Sequence, residues 1–196
     1  MKALVIYATK AEAEDTLKRF EGKQKAAHLY ACDSFDLLIC GIGPLSAAVH
    51  SAPLIPHYEH VYNLGIAGSI GPRCGLGEIY PIRQFLRWVC TPEGLDQHSK
   101  DMLDAHNPPV TLERDGLTLA TSDYPIHSPE AGLSARGADL VDMEAYSIAR
   151  AANISQKPFS CYKLVSDFTR SDGPELIGTY IKRWSCMLAD HAEELL

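Results

Sequence analysis

The stretch FDLLICGIGPLSAAVH at residues 35–50 decides the fold class. Its apolar start, residues 35–40, predicts a buried β-strand that stops at the glycines of residues 41–44. Residues 45–54 then read as a helix. A strand, a glycine turn and a helix form a β-α unit, and a small-residue turn at a strand end lets the backbone approach a ligand closely.

The same alternation runs along the rest of the chain. Residues 61–64 predict a strand that stops at the glycines of residues 65–69, and residues 91–109 predict a polar loop with one helical turn. The remaining predicted strands lie at 3–8, 78–89, 117–121 and 159–165, and the remaining predicted helices at 10–20, 141–152 and 174–195. Strands alternating with helices predict an α/β layered sheet in one domain, residues 1–196.

The charge balance argues against several classes of protein. Eighteen Lys and Arg residues against 25 Asp and Glu give a net charge of −7, which disfavours binding to a nucleic-acid duplex. Residues 37–58 carry no formal charge, but prolines and a glycine turn interrupt them, so we expect no membrane span. The first residues contain no signal-peptide apolar region, so we expect a cytoplasmic protein.

The spacing of cysteines and histidines predicts neither disulfides nor a metal site. The six cysteines are scattered without a CxxC pair, mostly in apolar surroundings where a reduced thiol behaves as a small hydrophobic group. His57 and His60 have the spacing of metal ligands, but prolines lie nearby and no third ligand clusters with them. We therefore expect no bound metal.

Glu12 is the first of three carboxylates in unusual positions, because it comes just after the first predicted strand. The sequence Thr9-Lys10-Ala11-Glu12 fits a capping box, in which the glutamate side chain accepts a hydrogen bond from the threonine amide. Local sequence favours this structural role, and a catalytic role remains the alternative.

Glu144 and Asp167 are the other two carboxylates. In the predicted helix at 141–152, Glu144 falls on the apolar face, three residues after Val141 and four before Ile148. Glu144 is either a functional acid or a structural residue at the rim of the core, where its negative charge is favourable because a helix N-terminus is near. Asp167 lies at the exit of a predicted strand, where Ser-Asp is also common as a helix N-cap or Asx-turn.

Five segments spread over nearly the whole chain occur together in a recognisable order. They are the strand and acid at 2–12, Gly-Ile-Gly at 41–43, Asn-Leu-Gly-Ile-Ala-Gly-Ser at 63–69, Val-Asp-Met-Glu-Ala at 141–145 and Ser-Asp at 166–167. This order resembles the 5′-methylthioadenosine/S-adenosylhomocysteine nucleosidase family, within the nucleoside phosphorylase superfamily that also contains the futalosine hydrolases. The resemblance implies a nucleoside phosphorylase-like fold, with a central mixed β-sheet flanked by helices.

The resemblance also implies a purine nucleosidase that needs no cofactor, acts on a small-molecule nucleoside and forms a homodimer. Its catalytic residues would be Glu12, which activates the attacking water, and Asp167, which protonates N7 of the leaving purine. The cleavage passes through an oxocarbenium-like sugar, so such acids lower its barrier. The residues implied to bind substrate are Ser166 beside Asp167, Met143 and Glu144 at the ribose hydroxyls, Ile126 in the purine segment, and Gly68.

Departures from the family pattern leave the 5′ substituent open. The usual long loop after residue 81 is missing, and Phe-Thr-Arg at 168–170 replaces smaller residues. A wider pocket would suit futalosine or 6-amino-6-deoxyfutalosine of menaquinone biosynthesis, whose aromatic acid would pair with Arg83, Arg87 or Arg170. Methylthioadenosine and S-adenosylhomocysteine are the other substrates that the resemblance leaves open.

Two alternatives to a nucleosidase remain at this point. A phosphorylase of the same fold would need a phosphate site of arginines and glycines near the first strand, where residues 7–12 offer no arginine. A non-catalytic nucleoside-binding protein is the other alternative, and the three carboxylates in family order argue against it.

Overall fold

Strands and helices alternate along the chain much as the sequence predicts. The computed structural model describes residues 2–89, 96–127, 137–170 and 172–196. Its strands are β1 (Ala3–Tyr7), β2 (Lys23–Ala26), β3 (Leu29–Ala31), β4 (Phe35–Ile39), β5 (Val61–Ser69), β6 (Ile79–Arg87), β7 (Val110–Thr111), β8 (Leu117–Thr121), β9 (Leu140–Asp142) and β10 (Phe159–Asp167). Its helices are α1 (Lys10–Arg19), α2 (Pro44–Ser51), a 3₁₀ turn (Ile55–His57), α3 (Gln97–His106), α4 (Ala145–Ile154) and α5 (Gly173–Leu195).

The strands of the described residues form one mixed sheet with an open and a closed part. The open part runs β2-β3-β4-β1-β5. The other part closes on itself, because β5 pairs with β10, β10 with β6, β6 with β8, β8 with β9, and β9 again with β5. Parallel pairs such as β1 with β5 and antiparallel pairs such as β5 with β9 both occur. The predicted α/β fold with a central mixed sheet is confirmed.

Helices cover both faces of the sheet, which explains the unbroken apolar strands. In β1, Leu4 and Ile6 belong to the core beneath α2 and α4, whereas Val5 and Tyr7 belong to the core beneath α1 and α5. All four side chains are fully buried. A strand that is buried on both faces reads as a continuous hydrophobic run rather than an alternating one.

The predicted end of a strand at residue 64 is wrong, because β5 continues to Ser69. Its glycines allow close approach of neighbouring side chains rather than a turn. A Cβ on Gly65 would lie 3.0 Å from Oε1 of Glu12, and a Cβ on Gly68 would lie 2.8 Å from the Thr169 methyl carbon. The glycines therefore let side chains from α1 and from the end of β10 pack against the backbone of β5.

The predicted helix start at residue 141 is also wrong. Leu140–Asp142 forms strand β9, and α4 begins only at Ala145. The carboxylate of Asp142 accepts a hydrogen bond of 2.9 Å from the Ala145 amide, which satisfies a donor of the first helical turn. Glu144 therefore precedes the helix instead of lying on its apolar face, although its side chain is buried as expected.

The sequence patterns did not predict helix α3, the β2–β3 hairpin or the short strand β7. Residues 91–95 of the predicted loop lie outside the described residues, and the remainder contains α3, whose N-cap Asp96 accepts a hydrogen bond from the Ser99 amide. The β2–β3 hairpin was not predicted, because every residue of Lys23–Ala26 is exposed and the strand has no apolar face to reveal it.

Candidate active site

A cavity of about 590 Å³ lies where the carboxyl ends of β1, β5 and β10 meet. This is the edge at which α/β sheets bind their ligands. Helix α5 and residues 124–127 form other parts of its described wall. The structure brings all of the sequence-predicted site residues to this cavity: Glu12, Gly68, Ile126, Met143, Glu144, Ser166 and Asp167.

Glu12 links the start of α1 to strand β5. Its Oε2 accepts a hydrogen bond of 2.7 Å from the Thr9 amide, and its own amide donates to the Thr9 hydroxyl at 3.3 Å. The predicted capping box is therefore confirmed. The other carboxylate oxygen, Oε1, accepts a hydrogen bond of 3.1 Å from the Ile66 amide. The side chain is 4% exposed and lines the cavity. Glu12 is therefore both part of the capping box of α1 and a carboxylate held in one position at the cavity wall.

Lys163 and Asp142 form a buried ion pair close to this carboxylate. Lys163 Nζ lies 3.0 Å from Asp142 Oδ2, and both side chains are almost completely inaccessible. A Cβ on Gly65 would lie within 3.3 Å of both Lys163 Nζ and Glu12 Oε1, so the glycine leaves space between the ammonium and the Glu12 carboxylate. Burial is the largest single influence on Lys163 and opposes its charged form, but Asp142, Cys161, Glu144 and Glu12 together outweigh it and raise the Lys163 pKa.

Glu144 is held by the glycine turn that follows β4. Its Oε1 accepts a hydrogen bond of 2.8 Å from the Gly43 amide. Gly43 has φ of 95°, a left-handed conformation that residues with a Cβ rarely adopt. Burial, and then the charge of the neighbouring Asp142, raise the pKa of Glu144 to about 8. Glu144 therefore brings a proton to the cavity at neutral pH.

Asp167 is oriented by donors on both of its carboxylate oxygens. The Ser166 hydroxyl donates to Oδ1 at 2.7 Å, and the Thr169 amide donates to Oδ2 at 2.8 Å. Gly173, the first residue of α5, packs against the same carboxylate, since a Cβ there would lie 3.1 Å from Oδ2. The position at a strand exit agrees with the sequence prediction, and its Asx-type hydrogen bond to Thr169 is present as well.

Thr169 is a site residue that sequence reasoning missed. It is buried, lines the cavity and has φ of 51°, which is an outlier for a β-branched residue. Its hydroxyl lies 2.8 Å from the Phe168 carbonyl oxygen and 3.2 Å from the Ser69 carbonyl oxygen of β5. The departure from the family pattern at 168–170 was the available signal.

The expectation that Arg83, Arg87 and Arg170 serve the 5′ pocket is wrong for the described cavity wall, which contains none of them. Arg87 donates hydrogen bonds to the carbonyl oxygens of Trp88 and Thr121 at 2.8 and 2.7 Å. Arg170 lies 5.9 Å from the centre of the Phe168 ring, and Arg83 is exposed. Arg87 instead fixes the end of β8, which leads into residues 124–127 of the cavity wall.

Three further kinds of feature bear on the sequence predictions: metal sites, disulfides and membrane-spanning helices. No group of three His, Cys, Asp or Glu side chains there is placed to hold a metal ion. Five of the six cysteines are described and all five are free thiols; Cys90 lies outside the described residues. None of the described helices has the length and apolar character needed to cross a membrane.

The fold and the cavity define a class of protein, and sequence comparison agrees. Residues 37–196 match the family model described as Phosphorylase superfamily, so the chain belongs to this superfamily. No curated protein matches the sequence significantly.

Several solved structures share this fold. The chain resembles the MTAN of Chlamydia trachomatis bound to MTA, with a TM-score of 0.77, 24% identity and coverage of 97% of this chain and 94% of that chain. It resembles Helicobacter pylori MTAN with 5′-methylthioadenosine in the active site, with a TM-score of 0.77, 15% identity and coverage of 98% and 96%. A futalosine hydrolase mutant of Helicobacter pylori strain 26695 matches with a TM-score of 0.75, 14% identity and coverage of 98% and 97%. The nucleoside phosphorylase-like fold is confirmed.

Proposed function

We propose that the protein is a nucleosidase that hydrolyses the N-glycosidic bond of a 5′-modified purine nucleoside. Asp167, oriented by Ser166, protonates N7 of the leaving base, and Glu12 activates the attacking water. Glu144 and Met143 bind the ribose hydroxyls, while Ile126 and Gly68 contact the nucleoside. A neutral leaving base and carboxylates near the sugar both lower the barrier to an oxocarbenium-like transition state.

One observation carries this proposal: three buried carboxylates from distant parts of the chain, Glu12, Glu144 and Asp167, line the same cavity beside the ion-paired Asp142. Each of them accepts a hydrogen bond from a backbone amide, Glu12 from Ile66, Glu144 from Gly43 and Asp167 from Thr169. Backbone donors cannot rotate away, so the acids are held in place before a substrate arrives. Burying three acids in one place without a ligand-related reason would cost stability.

The make-up of the cavity wall supports hydrolysis rather than phosphorolysis. No lysine or arginine is among the described residues that line it. A phosphate nucleophile carries about two negative charges, which lysine and arginine side chains bind most strongly, although the first residues of α1 and α5 also line the cavity. The Glu12 carboxylate would repel phosphate, but it can accept a proton from water.

An apolar part of the same wall supports a compact, apolar 5′ substituent of the methylthioadenosine type. Ile42 after β4 and Ile177 and Ile181 on α5 line the cavity. Such side chains favour an alkylthio group over the carboxylated tail of futalosine, which would need a cation to pair with. With the predicted arginines directed elsewhere, the described wall offers no such cation.

We also propose that the protein is a homodimer. Ile42, Leu45 and Val49 lie at or beside the cavity on α2 and the turn before it, and they are 63%, 77% and 59% exposed. A contiguous exposed apolar surface without charges is typical of an interaction site. Light scattering of the purified protein measures the oligomeric state.

The proposal is tested by assaying base release from 5′-methylthioadenosine with and without phosphate. The wild type should release adenine at a rate that is independent of phosphate, with free 5-methylthioribose as the second product. Asp167→Asn should lose nearly all turnover, and Glu12→Gln should lose about 100-fold or more, within the usual worth of acid–base catalysis. Asp167→Asn should stay folded, because its amide oxygen still accepts from the Thr169 amide and its amide nitrogen can donate to the Ser166 hydroxyl. Glu12→Gln keeps only one of the two backbone hydrogen bonds that Glu12 accepts, so its melting temperature is measured beside its rate.

Glu14→Gln is the matched control, because Glu14 lies on the same helix as Glu12, is about half exposed, pairs with Lys18 on its own helix and does not line the cavity. It should leave the rate unchanged. A ribose 1-phosphate product would mean a phosphorylase, and release of base only from futalosine would reverse the 5′ assignment. Absence of turnover with all these nucleosides, combined with ligand binding, would favour the non-catalytic alternative.

A further inference from the structure

Two histidine side chains meet on the outside of the fold. His28 lies in the turn between β2 and β3, and His50 lies in the last turn of α2. The centres of their imidazole rings are 5.3 Å apart and the ring planes are tilted by 57°, so the rings are adjacent without stacking face to face. Neither histidine is among the described residues of the cavity wall. The pair therefore lies outside the candidate active site.

The hydrogen bonds of His50 determine which of its ring nitrogens is free to bind an ion. Nδ1 lies 2.9 Å from the Cys40 carbonyl oxygen and 3.0 Å from the Ser46 carbonyl oxygen. Carbonyl oxygens only accept, so Nδ1 carries the hydrogen, and Nε2 of the neutral ring is left with a lone pair. A histidine that binds a metal ion almost always donates its other ring N–H to a carbonyl or carboxylate oxygen. His50 is therefore held in the tautomer of a metal ligand that binds through Nε2.

His28 brings a second imidazole to the same place. Its side chain is exposed, and no hydrogen bond from the described part of the chain reaches its ring. The residue has φ of 65°, a left-handed conformation that is uncommon outside glycine. The hairpin turn thus holds His28 in an unusual backbone conformation that places its ring beside His50.

The distance between the two rings matches that of two imidazoles on one ion. A zinc–nitrogen bond of about 2.0–2.1 Å puts the ion about 3.2 Å from each ring centre, because a ring nitrogen lies about 1.2 Å from that centre. A tetrahedral angle between the two bonds then puts the ring centres about 5.2 Å apart. The distance in the structure is 5.3 Å. Both rings can therefore bind one ion with little movement.

We propose that His28 and His50 form a surface site for a divalent late transition-metal ion such as Zn²⁺ or Ni²⁺. Imidazole suits these ions, whereas Ca²⁺ and Mg²⁺ need oxygen ligands. Water completes the coordination, since the described residues provide no group of three His, Cys, Asp or Glu ligands. The ion joins the β2–β3 hairpin to α2, so it stabilises the folded chain. This inference does not rest on the proposed function.

The test is titration calorimetry with Zn²⁺ in a Cys186→Ser background, because Cys186 is an exposed thiol that could itself bind zinc. This parent protein should bind Zn²⁺, and its melting temperature should rise with the zinc concentration, because the ion binds the folded state. His28→Asn and His50→Asn should each lower the affinity by at least the 10–100-fold loss, roughly, that follows loss of an outer-shell partner. Mg²⁺ should bind neither the parent nor the variants at this site.

Asparagine is chosen because it keeps the fold at both positions. It tolerates the left-handed backbone of residue 28. At residue 50 its side-chain N–H can replace the Nδ1–H donor to the carbonyl oxygens, while no atom replaces Nε2. Without zinc, both variants should melt close to the parent. If His50→Asn melts much lower, His28→Asn alone decides the outcome.

His57→Asn is the matched control, because His57 is an exposed histidine in the 3₁₀ turn. It should leave the zinc affinity unchanged. Equal affinity in the parent and in the folded asparagine variants at 28 and 50 would overturn the site. An equal loss in His57→Asn would also overturn it, because zinc would then bind surface histidines in general. Adenine release tests the proposed function separately and does not enter this result.

Discussion

Replacing Lys163 by methionine should destabilise the protein by about 3–5 kcal/mol, because it leaves the Asp142 carboxylate buried without a countercharge. The two side chains are 2% and 1% exposed and 3.0 Å apart, so water cannot take over the role of the ammonium. Asp142 would keep its hydrogen bonds from the Thr121 hydroxyl at 2.6 Å and the Ala145 amide at 2.9 Å. These neutral donors compensate only part of the charge. Methionine matches the lysine stem in length, so no large cavity forms.

Chemical and thermal unfolding of Lys163→Met, Asp142→Asn and the double variant measure this loss. The predicted loss corresponds to a melting temperature lowered by about 6–20 °C for a chain of this size. The double variant should recover most of the stability, since removing both charges together is often nearly neutral. Lys182→Met on the exposed side of α5 is the matched control and should stay within about 0.5 kcal/mol of the wild type.

Two results from these three variants would refute the reasoning. A loss below about 1 kcal/mol for Lys163→Met would mean that Asp142 is solvated or neutral in the folded protein. Additive losses in the double variant would mean that each residue acts through packing and not through the other's charge.

Two further predictions concern the acids of the cavity. The pKa of Glu144 is raised to about 8 from an ordinary value of 4.5, so between these pH values the folded protein binds more protons than the unfolded chain. The contribution of Glu144 to the free energy of unfolding should therefore fall as pH rises through this window, by at most about 1.4 kcal/mol per pH unit. Glu144→Gln should flatten the pH dependence of the melting temperature. An identical slope in the wild type and in Glu144→Gln would exclude this linkage. Thr169→Val removes the hydroxyl that lies beside the Ser69 and Phe168 carbonyls and should lower kcat about 10–100-fold with little change in KM, because this hydroxyl anchors the backbone whose amide donates to Asp167. Thr169→Ser should retain most of the activity, and equal rates in the valine and serine variants would show that the hydroxyl is not needed.

Much of the fold was predictable because its signals are local. The apolar runs of β1 and β4 and the glycine turn at 41–43 can each be recognised from a few neighbouring residues. The errors came where local and tertiary demands differ. Glycines in β5 looked like a turn, but they are there because Glu12, Lys163 and Thr169 pack against that strand.

In the candidate site, too, local sequence patterns predicted some features and missed those that depend on tertiary contacts. All seven residues placed in the site from the sequence line one cavity. The parallel strands β1, β5 and β10 bring Glu12, Gly68, Ser166 and Asp167 to one edge of the sheet. Ile126, Met143 and Glu144 instead follow β8 and β9, and β9 runs antiparallel to β5. The helical argument for Glu144 was wrong although its buried position was right. Its contact with Gly43 joins two segments that lie far apart in the sequence, and no local pattern predicts it.

By itself, the sequence determined the α/β class, the order of most strands and helices, and which three acids reach the cavity, since periodicity and motifs are properties of neighbouring residues. Only the tertiary structure decided which charges meet and which face solvent. It paired Lys163 with Asp142, directed Arg87 to the carbonyls of Trp88 and Thr121 instead of the cavity, and set Gly178 on the cavity face of α5. The physical reason is that burial, hydrogen-bond partners and electrostatic environment depend on atoms that folding brings together from distant positions in the chain.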